Sequence, residues 1–260
     1  MSHQRYFISI MYDGTRYHGW QRQPKAVSIQ EEIEKRMSLL LDQPVELTTA
    51  GRTDAGVHAL QTYAHFDVPS ALDPEWLTRR MNAFLPPDIA FRYTVPVPPD
   101  AHARYDARSR YYTYHLITRK NPFREAYAWR LNEMPDIRRM NEAARILLDY
   151  EDFESFSKVK TDVKHFRCRI TEAYWEQAAP DHMIFHIRAN RFLRNMVRAI
   201  VGTLVETGLG KREPEDMHRI LQARDRRMAG ASAPGRGLFL TEVNYKESID
   251  NILKNYETNR

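Results

Sequence analysis

An α+β fold of two ferredoxin-like halves is predicted by three observations. The first half of the chain reads β-α-β-β-α-β by hydrophobic period and turn residues, which is the order of a split βαβ sandwich. The second half reads β-α-β-β-α-α-β, a looser version of the same order with no sequence repeat. Between them lies Thr94-Val95-Pro96-Val97-Pro98-Pro99-Asp100, whose prolines end a strand and stiffen a joint. The reading therefore divides the chain into residues 1–100 and 101–260, with the two sheets flanking a central cleft.

Each element has a local reason. Tyr6 to Tyr12 alternates and is rich in Ile and aromatics, as a strand does. Ser28 with Glu31 three residues on forms a capping box, and Ile29, Ile33, Met37 and Leu40 then share one helical face. Val45 to Thr49 and Gln61 to Val68 read as strands around a loop. Asp73-Pro74-Glu75 starts a helix with proline at its first position, and Ile89 to Val95 closes the half. In the second half, strands are expected at Ser109 to Thr118, Phe166 to Glu176, His182 to Ala189 and Leu238 to Tyr245. Helices are expected from Asp136 to Leu148, from Asn190 to about Thr207 and after Pro214, and the polar tail beyond Asp250 is expected to fray.

Composition narrows the function classes. The 260 residues are 42% hydrophobic and 28% charged, which suits one large or two ordinary domains and not wholesale disorder. Lys plus Arg is 39 against 34 for Asp plus Glu, a net charge of +5 that fits a polyanionic partner without requiring one. The one cysteine, Cys168, rules out an internal disulfide framework and argues against a cysteine zinc site; its own reading is a small half-buried residue. No apolar run approaches the roughly 18 residues of a membrane span, and the first residues do not resemble a signal peptide, so a cytoplasmic protein is expected.

The stretch Gly51-Arg52-Thr53-Asp54-Ala55-Gly56-Val57-His58-Ala59 carries the most chemistry. It lies between two expected strands, its glycines permit tight turns and close approach to a ligand, and an arginine stands two residues from a carboxylate. From residue types alone it is either a site or a hairpin loop with a structural Arg–Asp pair.

This loop resembles the catalytic loop of the tRNA pseudouridine synthase A family, residue for residue over Gly-Arg-Thr-Asp-Ala-Gly-Val-His. Four further segments resemble the family's motifs in the same order. They are Tyr12-Asp13-Gly14-Thr15 with His18-Gly19-Trp20-Gln21; His102-Ala103-Arg104 with Arg110-Tyr111-Tyr112-Thr113-Tyr114; Phe192 to Arg198 ending at Gly202; and Ala233-Pro234-Gly235-Arg236-Gly237-Leu238. The resemblance implies two ferredoxin-like halves around a catalytic cleft. It implies isomerisation of uridine to pseudouridine at tRNA positions 38 to 40, in a homodimer whose subunits share each tRNA.

By that resemblance Asp54 is the catalytic carboxylate, attacking C1′ or C6 or taking the C2′ proton. A cleft carboxylate needs a cation to stay ionised, and the family motif assigns Arg198 to that task. Arg191, Arg194 and Arg198 stand three and four apart on the expected helix, opposite Leu193, Val197, Ile200 and Leu204. Such a stripe is ordinarily a solvated face, and Arg191 and Arg194 are assigned to phosphate or solvent. Arg52 is assigned to a phosphate or to displacing the target base, which must leave its stack before the glycosidic bond is reachable. Tyr112 is assigned to the site, where its ring can stack on uracil or its hydroxyl move a proton, although a Tyr-rich strand is commonly core. Leu238 is either an apolar wall of the uracil pocket or a core residue.

No redox change accompanies the isomerisation, and no cofactor or metal is expected. His182 and His186 are four apart, but in a strand rather than a helix, so they are not assigned to a metal. His58 is read as structural. Lys158-Val159-Lys160 with Lys164, His165, Arg167 and Arg169 is either solvated or an RNA backbone contact. The aromatic and Arg-rich stretch 121–129 reads as an insertion suited to a dimer interface. Three rival readings are a non-catalytic tRNA-binding protein, an unrelated hydrolase built on Asp54 and a histidine, and a pseudouridine synthase with another target set.

Overall fold

The structure is a computed structural model that describes residues 3–158 and 163–258. It is mixed α+β. In chain order the first strands and helices are β1 (Gln4–Tyr12), α1 (Ile29–Leu41), β2 (Thr48–Thr49), β3 (His58–Val68), α2 (Pro74–Phe84) and β4 (Ile89–Val97). They are followed by β5 (Ala107–Ile117), β6 (Trp129–Arg130), α3 (Ile137–Ile146), β7 (Ile170–Ala179), β8 (His182–Ala189), α4 (Met196–Gly208) and α5 (Asp216–Ala223). The chain closes with β9 (Leu238–Tyr245) and α6 (Glu247–Thr258).

Packing divides the chain into two units, Met1–Ser109 with Leu240–Arg260, and Arg110–Phe239. The sequence reading runs its second half from 101 to 260. In the structure the chain from Leu240 onward packs with the first unit, because β9 lies beside β3 and α6 lies on β4.

In the first unit β1 is central, antiparallel to β3 on one side and β4 on the other. One face of this sheet is covered by α1 and α2, which bury Ile29, Ile33, Met37, Leu77 and Met81. The helix starts follow the expected caps: Ser28 Oγ accepts from the Glu31 amide, and Asp73 accepts from the amides of Glu75 and Trp76. The other face is aromatic. Phe7, Tyr63 and Tyr245 meet edge to face or tilted, the Tyr63 and Tyr93 hydroxyls share a hydrogen bond of 2.8 Å, and Tyr256 of α6 lies over Tyr93. Both faces are therefore buried, and Tyr6 to Ile10 are all in the core. The tail expected to fray is instead α6, whose Ile249 and Leu253 are buried.

In the second unit β8 is central between β5 and β7. The amides on either side of Trp175 are tied to α3, since Asn141 donates to the Trp175 carbonyl and accepts from its amide. Met140, Ala144, Leu147, Val197, Ile200 and Leu204 are buried on their helices, as the periodicity requires.

Among the boundaries that differ from expectation, three have a visible hydrogen-bond or backbone cause. Val45 to Thr49 pairs only at Thr48 and Thr49, because the Val45 and Leu47 amides are taken by Ser38 Oγ and Glu34 Oε1 of α1. The strand expected from Phe166 starts at Ile170; Phe166 and Cys168 bond to Phe153 and Glu151 instead. The helix expected from Asn190 starts at Met196, because Asn195 adopts the left-handed conformation (φ 67°) and Met196 caps a turn from Leu193. Arg191 and Arg194 thus precede the helix, and the three-arginine stripe does not lie on one helical face.

Candidate active site

Asp54 lies on the loop that joins β2 to β3, between backbone anchors on both sides. The Trp20 amide donates to the Thr53 carbonyl (3.2 Å), and the Gly56 amide donates to the Tyr17 carbonyl (3.2 Å). Within the loop, the Val57 amide closes a turn on the Asp54 carbonyl (3.2 Å). At its start the Ala50 amide donates to the Tyr63 carbonyl (2.8 Å), which continues the β2–β3 ladder to the loop. Asp54 is half-buried and Arg52 is exposed.

The anchors come from the segment Tyr12 to Trp20. The Tyr12 hydroxyl shares a hydrogen bond of 2.7 Å with Thr53 Oγ1. Gly19, at φ +92°, passes so close that a Cβ there would stand 2.3 Å from the Thr53 carbonyl oxygen and 3.1 Å from the carbonyl carbon of Asp54. Buried His58 accepts from the Gly14 amide through Nδ1 (3.1 Å), which makes it part of this scaffold, as its structural reading expects. Tyr12 and Gly19 fall within a sequence motif that assigns neither of them a task. Their role depends on a contact 34 to 41 residues away along the chain, which no local pattern encodes.

The other assigned residues lie in the second unit. Tyr112 is on β5 opposite Ile187 and is buried, with its ring edge to face with Phe192 at 5.2 Å and 89°. Arg198 is in the first turn of α4, and its Nε donates to the Ala233 carbonyl (2.7 Å). Leu238 opens β9 and is buried. Arg191 stands beside His165 (3.4 Å to Nε2), and the Arg194 carbonyl accepts from the Lys158 amide. Part of the basic run beginning at Lys158 lies outside the described residues.

The set-aside groups also have positions. His182 and His186 share one face of β8, against His115 (3.0 Å) and Tyr111 respectively. Cys168 is buried, and burial pushes its thiol up to about 11, which suits an inert residue and not a nucleophile. Among the described residues no helix is long and apolar enough to cross a membrane.

Residues 8–106 and 143–246 match the model of the tRNA pseudouridine synthase family. The chain belongs to that family. It is 51% identical over 248 residues to the tRNA pseudouridine synthase A of Bacteroides thetaiotaomicron, covering 95% of this chain and 92% of the relative. It is 49% identical over 248 residues to that of Porphyromonas gingivalis (94% and 98% covered). Against that of Bacillus subtilis it is 38% identical over 241 residues (91% and 97% covered). The matched segments of this tRNA pseudouridine synthase family member include the Asp54 loop and the Arg198 helix, while the Tyr112 strand lies between them.

Proposed function

We propose that this chain isomerises uridine to pseudouridine in tRNA, at positions 38 to 40 of the anticodon arm, with Asp54 as the catalytic carboxylate. The observation that carries the reading is the Asp54 loop: a half-buried carboxylate on a turn anchored at Thr53 and Gly56, in a chain of the tRNA pseudouridine synthase family.

The reaction breaks the N1–C1′ bond, turns the uracil and joins C1′ to C5; C5 then loses a proton and N1 gains one. Atoms balance without an oxidant or reductant. An oxocarbenium-like centre develops as the glycosidic bond opens, and a carboxylate held nearby stabilises or captures it. A preorganised loop suits this task because charge stabilisation is strongest where the group need not move. In the same reading Arg198 keeps Asp54 ionised, Tyr112 and Leu238 bound the uracil, and Arg52 meets a phosphate or displaces the target base. Arg191 and Arg194 meet the tRNA backbone. The protein works as a cytoplasmic homodimer.

The test is tritium release from tRNA labelled at C5 of uridine, followed by mapping of the modified positions. Release by the unaltered chain at positions 38 to 40 is expected, and none from Asp54→Ala. Release at other positions would keep the chemistry and change the target. Tight tRNA binding without release would favour a non-catalytic RNA-binding protein.

A further inference from the structure

We infer that Tyr12 is a positioning residue for the proposed reaction: its hydroxyl fixes Thr53 and through it the place of Asp54. The inference rests on the reading of Asp54 as the catalytic carboxylate.

Strand β1 ends at Tyr12. Its pairing with β3 slips between Ile10 and Tyr12, so that Ile10 stands opposite Thr62 but Tyr12 opposite Ala59. The extra residue is on β3, and a bulge bends its own strand, here just after the Asp54 loop. On β1 the Tyr12 hydroxyl meets Thr53 Oγ1 at 2.7 Å. The ring is 5% exposed and packs on Trp20 at 6.0 Å. A hydroxyl at this depth is costly unless hydrogen-bonded, so the bond to Thr53 persists once the ring is in place.

Thr53 is the residue before Asp54, and it is held twice from the same segment: by its side chain through Tyr12 and by its carbonyl through the Trp20 amide. Beyond Asp54, the Gly56 amide is held by Tyr17. The carboxylate therefore sits on a peptide fixed before and after it by residues 12–20. Of these ties only the hydroxyl pair can be removed without changing backbone or ring volume. Reacting groups tolerate little displacement; a misplacement of about 1 Å costs on the order of 100-fold in rate.

Tyr12→Phe and Thr53→Val each remove one partner, and Thr53→Ser restores the hydroxyl. On labelled tRNA we expect each deletion to lower kcat about 10- to 100-fold with KM within about 2-fold. We expect Thr53→Ser to recover most of the rate, and the double variant to be no slower than either single one, as for one shared interaction. Native-state hydrogen exchange at the Gly56 and Val57 amides should quicken in Tyr12→Phe while the melting temperature changes little. Wild-type turnover in Tyr12→Phe, or losses that multiply in the double variant, would overturn the inference. If the unaltered chain forms no pseudouridine, the proposed function fails by itself. Loop exchange then decides the positioning: faster in Tyr12→Phe supports it, and unchanged overturns it.

Discussion

Arg198 and Ala233 exchange hydrogen bonds: Arg198 Nε donates to the Ala233 carbonyl at 2.7 Å, and the Ala233 amide returns a bond to the Arg198 carbonyl at 2.9 Å. The pair ties the first turn of α4 to the segment before the Gly235–Gly237 turn, so the direction in which Arg198 leaves its helix is set by backbone as well as by rotamer. The close approach depends on Gly202, where a Cβ would stand 1.7 Å from the Ala231 carbonyl oxygen. Gly202→Ala is expected to force the two segments apart and cost about 3 kcal/mol or more, in the upper range of overpacking. Urea unfolding of the variant measures this, and an unchanged midpoint would count against the close packing.

Asp54→Asn keeps the shape of the loop and removes the charge. Turnover on tRNA should fall on the order of 10⁴-fold, as for removal of other covalent or basic catalysts, while filter binding of tRNA stays within a few fold. Equal losses in binding and turnover would instead assign Asp54 to holding RNA.

Tyr112 meets Phe192 edge to face, which holds its ring as a fixed wall. Tyr112→Leu should lose base stacking worth roughly 1–3 kcal/mol, read in kcat/KM. Tyr112→Phe should retain most activity if stacking is the ring's task. A loss in Tyr112→Phe as large as that in Tyr112→Leu would move the role to the hydroxyl.

His65 gives a pH prediction. Burial, then the neighbouring Arg5 and His102, hold its imidazole down at about 4, and its Nδ1 accepts from the Ala103 amide (3.1 Å). The unfolded chain takes up this proton near its ordinary pKa of about 6.5. Between those values the unfolded state binds the proton and the native state refuses it. His65 thus contributes stability that is full above about 6.5 and is lost as pH falls toward 4, by at most about 1.4 kcal/mol per pH unit. Unfolding followed across this range, compared with His65→Gln, should show a steeper loss in the unaltered chain. Parallel pH profiles would refute it.

Legibility divided along the range of the interaction. The caps at Ser28 and Asp73 and the whole of β9 are readable, because a cap or an alternating strand is written in neighbouring residues. Leu193, Val197, Ile200 and Leu204 keep a helical period across Asn195, so the pattern could not reveal that the left-handed residue starts the helix late. α6 is not legible in the sequence because its apolar residues have meaning only against an aromatic sheet face assembled from β1, β3, β4 and β9. The Asp54 loop was legible as a motif, whereas its support by Tyr12 was not, since a hydroxyl–hydroxyl bond across 41 residues leaves no periodic trace.

Because β9 passes from one packing unit to the other after its second residue, the first unit is assembled from both ends of the chain. A ribosome that has delivered only the first hundred or so residues has not yet made Tyr245, Ile249 or Leu253, and the aromatic face of β1, β3 and β4 must wait for them. The second unit is translated whole before that closure. Domains usually form in the order they emerge; here the unit bearing Asp54 begins first but closes only after residues 240–253, which follow the whole of the second unit.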